Sequence, residues 1–328
     1  MEEVIIIGAG PCGLSAAIEL QRIGIEPLII EKASIVHSIY LYPTYLQFFS
    51  TPDLLEIGGF PFNTPNEKPT RIEALHYYRN VAQHCKLRIQ LYEKVTDLVR
   101  TGPNYELHTL DSCGETHTYA AKRVIVSTGY FDAPNRLGIP GEDLPKVSHF
   151  YKEAHPYAGT RVAVIGGNNS AVDAALELMR VGAEVTVVYR GPDYSPNIKP
   201  WVRPIFESMV QKERIRMMFS ARVERIEPRE ILIAHSGHEM RLSNNFVLAL
   251  TGFHPDRTLL ARLGVSYQED TNRPVFHPDT METNVPGLYV AGVIASGRDA
   301  NEIFIETGRW HGKRIAEHIA QLLAIQDH

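Results

Sequence analysis

One stretch of this sequence occurs twice in outline, and that doubling limits the folds open to it. EVIIIGAGPCGLSAAIELQRIGIEPLIIEK, from Glu3, and RVAVIGGNNSAVDAALELMRVGAEVTVVYR, from Arg161, run at a constant offset. Gly8 aligns with Gly166, Ala16 and Ala17 with Ala174 and Ala175, Glu19 with Glu177, and Gly24 with Gly182. Each copy reads as an apolar strand, a glycine turn, a helix, a glycine and a second apolar strand. This is a βαβ unit, which sets a dinucleotide phosphate on a helix N-terminus. A lone G-x-G-x-x-G is a weak signal; placed between strand and helix and then repeated, it is specific. The expected fold class is α/β, with two Rossmann-like dinucleotide-binding domains. Gly8, Gly10, Pro11, Cys12 and Gly13 form the first expected cradle, and Gly167, Asn168, Asn169 and Ser170 the second.

The ends of the two second strands differ, and the difference is chemical. The first copy ends at Glu31, followed by Lys32. An acid here accepts the ribose hydroxyls of an unphosphorylated adenosine and repels a 2′-phosphate. The second copy has Tyr189 and then Arg190, and an arginine binds a 2′-phosphate. The first site therefore suits FAD or NAD and the second NADPH. Lys199 and Arg203 lie downstream, as further phosphate ligands or as ordinary solvated charges. Asn168 replaces the middle glycine of the second turn and Ala171 the last. A left-handed backbone at Asn168 and close packing at Ala171 would preserve the turn.

Length and composition agree with two domains: 328 residues, 44% of them hydrophobic. The net charge of −5, with no long basic block, argues against nucleic acid as a partner. Cys12, Cys85 and Cys113 are the three cysteines, with no C-x-x-C among them, against a disulfide scaffold or a zinc site. No apolar run reaches the roughly 18 residues of a membrane span. The first strand begins near Val4, leaving no room for a signal peptide, so a soluble, cytoplasmic protein is expected.

Three further stretches complete a pattern. VIVSTGYFDAP (Val124 to Pro134) carries Thr128-Gly129 and is followed by IPGE at Ile139; LALTGFHPD (Leu248 to Asp256) carries Thr251-Gly252. TNVPGLYVAGVIASG (Thr283 to Gly297) leads into a glycine turn, and Asn301 to Leu323 reads as an amphipathic helix. In this order the motifs resemble the thioredoxin-reductase-like flavoproteins, over essentially the whole chain. The resemblance implies an FAD domain split in sequence, residues 1 to about 132 plus 253 to 328. An NADPH domain, 133 to 252, is inserted in it. It also implies FAD contacts from Gly292 and from the backbone near Val95, and a homodimer or tetramer. Two positions depart from the pattern. Val293 stands where the family has an acid for the ribityl hydroxyls. In VSHFYKEA (Val147 to Ala154), Phe150 and Glu153 stand where thioredoxin reductase has its dithiol. No dithiol relay operates from that segment.

Between the first unit and Thr70 lies HSIYLYPTYLQFFSTPDLLEIGGFPF, aromatic and without a helical period. It reads as a loop that covers a flavin ring, with Gln47, Ser50 and Thr51 as hydrogen-bonding groups, or as a loop packed on its own aromatics. GAGPCG, FFSTPDLLEIG, GGNNSA, VAGVIASGRDAN and the absent C-x-x-C are together similar to the bacillithiol-disulfide reductase family of Gram-positive bacteria. That similarity implies NADPH-dependent FAD enzymes that reduce a small-molecule thiol disulfide. Cys12 is then the candidate catalytic thiol. A helix N-terminus lowers a thiol's pKa, a disulfide is attacked there, and reduced flavin resolves the mixed disulfide. Against this, Ser170 in the second copy shows that the position also takes any small side chain. Cys85 is expected in the core and Cys113 on the surface, while His149 and His254 are possible proton donors. A ferredoxin- or flavodoxin-NADP reductase, a flavin mono-oxygenase and a non-enzymatic redox sensor are the competing readings.

Overall fold

The computed structural model describes residues 1–298 and 302–326, so Asn301 lies outside the described residues. In chain order the elements begin β1 (Glu2–Ile7), α1 (Pro11–Arg22), β2 (Leu28–Ile30), α2 (His37–Leu41), α3 (Pro52–Leu55) and α4 (Arg71–His84). They continue β3 (Arg88–Gln90), β4 (Glu93–Thr101), β5 (Asn104–Asp111), β6 (Thr116–Val126), β7 (Val147–Ser148), β8 (Arg161–Ile165) and α5 (Asn169–Arg180). Then follow β9 (Glu184–Val188), α6 (Arg203–Gln211), β10 (Arg216–Met218), β11 (Ala221–Ile226), β12 (Glu230–His235), β13 (His238–Ser243) and β14 (Phe246–Ala249). The last elements are α7 (Thr258–Arg262), β15 (Leu288–Val290), α8 (Ile305–Gly308) and α9 (His311–Gln326).

The chain forms two compact units. The first comprises Met1–Leu41, Leu46–Ala133 and His254–His328. Its sheet runs β3-β2-β1-β6-β5-β4, with β15 also on β6. The β3, β2, β1, β6 and β15 pairings are parallel, whereas β4, β5 and the first half of β6 form an antiparallel meander. Val4, Ile5, Val124, Ile125 and Leu288 are fully buried. Strands covered on both faces read as unbroken apolar runs, which is why these segments were visible in the sequence.

The second unit comprises Tyr42–Tyr45 and Pro134–Phe253. Its five-stranded parallel sheet runs β10-β9-β8-β14-β7, and β11-β12-β13 form a separate antiparallel sheet. Helix α5 buries Ala171, Val172, Ala174, Ala175 and Leu178 against the apolar strands.

The structure differs from expectation at two elements. The aromatic segment contains two short helices, α2 and α3, where no helical period was visible. The C-terminal helix is also broken. Helix α8 ends at Gly308, the Arg309 guanidinium donates to the carbonyls of Asp53 and Glu56, both at 2.7 Å, and α9 starts at His311. No helix among the described residues is long and apolar enough to cross a membrane.

In the first unit α9 lies on α1 so closely that a Cβ on Gly312 would stand 2.4 Å from the Ala16 Cα. Glycine to alanine inside a helix ordinarily gains up to about 1 kcal/mol. Here the overlap reverses the sign, and Gly312→Ala is expected to lose about 1–3 kcal/mol in urea unfolding.

Candidate active site

In the first unit four adjacent parallel strands, β2, β1, β6 and β15, end on Glu31, the Gly8–Gly13 turn, Ser127–Gly129 and Gly292. Strand order reverses between β1 and β6, and in open α/β sheets ligands bind at such a switch point. Gly8 has φ +107°, and a Cβ there would meet the Ser127 carbonyl oxygen at 2.6 Å. A Cβ on Gly13 would lie 2.1 Å from the Gly8 carbonyl oxygen. Above Gly10, by contrast, a Cβ would find nothing within 4 Å. Gly10 starts α1 in extended conformation with no side-chain cap, and Pro11 follows in the first turn. The helix N-terminus is thus left for an anion, with open space in front of its middle glycine.

Glu31 is buried, and its carboxylate accepts from the N–H groups of Ala9 (2.8 Å) and Ala33 (3.0 Å). Burial raises its pKa, while those N–H groups pull it down. The two bonds occupy about half of a carboxylate's acceptor sites and leave the rest for ribose hydroxyls. Lys32 is ion-paired with Asp132, and desolvation lowers its pKa. The Thr128 hydroxyl is buried without a hydrogen-bond partner among the described residues, and Gly129 has φ +71°. Open backbone, a strand-end acid and an orphaned hydroxyl fit a dinucleotide at this edge. Val95 is buried in β4, next to a bulge. Gln47 donates to the Lys68 carbonyl at 3.0 Å, Ser50 bonds to Glu306, and Thr51 is the half-buried N-cap of α3.

Cys12 sits where α1, the β15 turn and α8 converge. A Cβ on Gly292 would lie 2.9 Å from the Cys12 Sγ, and one on Gly308 2.8 Å from it. The residue is half-buried, and desolvation pushes its thiol up to about 12. This reverses the expected lowering: loss of water outweighs the partial charge of the helix end. Cys85 is not a core residue; it is half-buried at the C-cap of α4, and burial raises its thiol too. Cys113 is exposed, as expected of a surface thiol.

Two residues of this edge had no signal in the glycine motifs. Ser127 bonds to the carbonyls of Ile7 and Gly8, at 3.0 and 2.9 Å, and ties β6 to the first turn. His311 is buried, and its Nδ1 accepts from the Gly292 N–H at 3.1 Å. Gly292 has φ +79°, and Val293 beside it is half-buried.

In the second unit β8 ends on Gly166 and Gly167, β9 on Tyr189 and Arg190, and β14 just before Thr251 and Gly252. Asn168 is extended (φ −97°, ψ −174°), not left-handed as expected, and its Oδ1 accepts from the Ser195 hydroxyl at 2.6 Å. Asn169 donates to the Asn197 carbonyl and accepts from the Lys199 N–H, both at 2.9 Å. The two asparagines therefore anchor the 195–199 loop rather than supply backbone freedom. Ser170 is exposed. The Tyr189 ring lies between Gly167 and Gly191, where added Cβ atoms would come within 2.3 and 2.4 Å of it. Arg190 is exposed and has no hydrogen bond or ion pair among the described residues. Lys199 pairs with Asp173 (2.9 Å) and Arg203 with Glu207 (2.6 Å), so neither is a free phosphate ligand. The Thr251 hydroxyl donates to the Asn135 carbonyl at 2.6 Å, and the Asn135 N–H to the Gly252 carbonyl at 2.9 Å. Phe150, at the lost dithiol position, packs on Phe253 with ring centroids 5.4 Å apart. His149 is half-buried beside the buried Glu142 (3.3 Å), and His254 is exposed.

A double set of nucleotide turns on two α/β units defines a redox flavoprotein. Residues 5–292 match the pyridine nucleotide-disulphide oxidoreductase family, and the chain belongs to that family. It is therefore an oxidoreductase that uses a flavin and a pyridine nucleotide. It is 52% identical over 321 residues, 98% of each chain, to the bacilliredoxin reductase of Bacillus subtilis (strain 168). The bacillithiol disulfide reductase structure from Bacillus cereus superposes with TM-score 0.95 at 50% identity, covering 98% of this chain and 99% of that one. The thioredoxin reductase of T. acidophilum shares the fold, with TM-score 0.74 at 23% identity over 98% of this chain and 99% of that one.

The environments of the thiols set their reactivity. Under limiting alkylation at pH 8, Cys113 is expected to label first and Cys12 last. A pKa of about 12 leaves Cys12 roughly one part in ten thousand thiolate at that pH. Peptide mass spectrometry reads the order.

Proposed function

We propose that this protein is an NADPH-dependent FAD enzyme that reduces bacillithiol disulfide, with Cys12 as its working thiol. The observation that carries the reading is the near-full-length identity with the Bacillus cereus reductase, on a chain whose dithiol position holds Phe150 and Glu153. The first unit holds FAD: Gly8, Gly10, Pro11 and Gly13 at the pyrophosphate, Glu31 at the ribose, and Thr128, Gly129, Gly292 and Val293 along the flavin half. The second holds NADPH on Gly167 to Ser170, with Arg190 at the 2′-phosphate. Bound FAD would supply the two-electron link between nicotinamide and disulfide.

The net reaction converts NADPH, one proton and one disulfide into NADP⁺ and two thiols. Cys12 attacks one sulfur of the substrate disulfide. The Cys12 proton is lost to solvent before the attack, the departing thiolate takes up a proton in its turn, and a mixed disulfide remains on Cys12. Two electrons from NADPH then break that bond and release the second thiol. Burial works against the first step, because at pH 7 a thiol of pKa about 12 is about 10⁵-fold short of thiolate. The higher nucleophilicity of a high-pKa thiolate recovers roughly 10² of this. Attack is therefore limited by loss of the thiol proton.

A specific observation favours a second acceptor. The Bacillus subtilis relative is named for bacilliredoxin, whereas the Bacillus cereus one is named for bacillithiol disulfide. The discriminating experiment reduces the protein anaerobically with NADPH and adds each acceptor in turn. Fast reoxidation of the flavin band by bacillithiol disulfide alone supports the small-molecule reading. Reoxidation only by oxidised bacilliredoxin moves the substrate to the protein, and reoxidation by neither removes the proposal. Two further outcomes are expected. Arg190→Ala raises the KM for NADPH about 10- to 100-fold and leaves NADH unchanged, the loss of one or two charge-assisted hydrogen bonds. And kcat/KM for the disulfide rises about tenfold per unit from pH 7 to 9, because the Cys12 thiol titrates above that range; a flat profile would contradict rate-limiting attack by a thiol of so high a pKa.

A further inference from the structure

Position 293 is a valine, so the β15 turn offers no carboxylate to the ribityl chain. What the turn presents is its backbone, and that backbone is held in an unusual way. Gly292 has φ +79°, and its N–H is satisfied by no carbonyl of its own segment. It donates instead to His311 Nδ1, 3.1 Å away and 19 residues on in the sequence. His311 opens α9, and α9 is locked in register: at the next residue, Gly312, its backbone rides directly on Ala16 of α1. The other side of Gly292 is closed by Cys12 of α1, which also abuts Gly308 of α8. One imidazole therefore links the turn to the helix pair whose N-terminal end carries the first glycine cradle.

We infer that His311 is the positioning residue for FAD: through Nδ1 it fixes the Gly292 turn in the shape that accepts the cofactor, in place of the anchoring that an acid at position 293 gives in related flavoproteins. The inference rests on the assignment of FAD to the first unit. It needs a neutral imidazole with its proton on Nε2, because Nδ1 is an acceptor here. Burial supplies this by lowering the His311 pKa to about 4, with the nearby Arg314 acting in the same direction. A positioning role differs from simple packing in one respect. An isosteric side chain without the acceptor would preserve the fold and lose the cofactor.

The test titrates FAD-stripped protein with FAD and reads the dissociation constant by quenching of flavin fluorescence. It uses wild type, His311→Asn, whose amide oxygen keeps an acceptor near Nδ1, and His311→Leu, which matches the asparagine in shape and lacks it. The expected result is a Kd within about threefold of wild type for Asn, and at least about tenfold weaker for Leu, the effect of leaving one buried donor unpaired. NADPH binding to the same proteins should be unchanged. Equal Kd values for Leu and wild type, or equal losses for Asn and Leu, would overturn the inference. Absence of FAD binding by wild type would instead remove the FAD assignment, so the two failures are separable. Should neither variant fold, ¹⁵N NMR of the wild-type imidazole decides: an unprotonated Nδ1 supports the inference and a protonated Nδ1 overturns it.

Discussion

The start of α1 is pressed against the ends of two strands, and the nucleotide edge of the first unit follows from that contact. Gly13 passes so near the Gly8 carbonyl and the Ser127 hydroxyl that no side chain fits between them. Only this closeness puts the helix N-terminus at the tip of β1, with Gly10 facing open space. Ser127 reinforces it by bonding to the consecutive carbonyls of Ile7 and Gly8 where β1 enters the turn. Cys12, one residue before Gly13, is carried by the same contact into the gap between Gly292 and Gly308. The open helix N-terminus and the position of the thiol are thus consequences of one packing constraint.

Electrostatics then separates two units of similar backbone. At the end of β2 a buried carboxylate is held by backbone N–H groups and favours uncharged ribose hydroxyls. At the end of β9 a tyrosine ring fills the space between two glycines, and the next residue is a free, exposed arginine. A carboxylate disfavours a 2′-phosphate and an arginine favours one, and the proposed placement of FAD and NADPH rests on that contrast. The two units thus share a backbone turn and differ at the strand end, where the first has a carboxylate and the second a tyrosine followed by an exposed arginine.

The repeated βαβ units were legible because parallel strands buried on both faces, such as Val4–Ile7 and Val124–Val126, read as continuous apolar runs beside glycines. The strand-end positions of Glu31 and Arg190 were legible because the motif fixes their distance from the turn. The roles of Asn168 and Asn169 were not, since their partners lie on a loop 27 to 30 residues away. His311 was hidden for the same reason: nothing local marks a histidine that bonds to a glycine 19 residues upstream. The Cys12 pKa was misjudged in sign, because a helix N-terminus is visible in sequence and the desolvation that outweighs it is a property of the packed state. The break at Arg309 and Trp310 escaped the helical period, because it depends on contacts of Arg309 with α3.

The central claim is that a single half-buried thiol, and not a dithiol, passes electrons to the substrate. The most direct measurement is on FAD-loaded Cys12→Ser, reduced with NADPH under anaerobic conditions and then mixed with bacillithiol disulfide. The account predicts normal flavin content, normal reduction by NADPH and loss of reoxidation by the disulfide. Reoxidation at the wild-type rate would contradict it and leave Cys12 as a small side chain packed between two glycines.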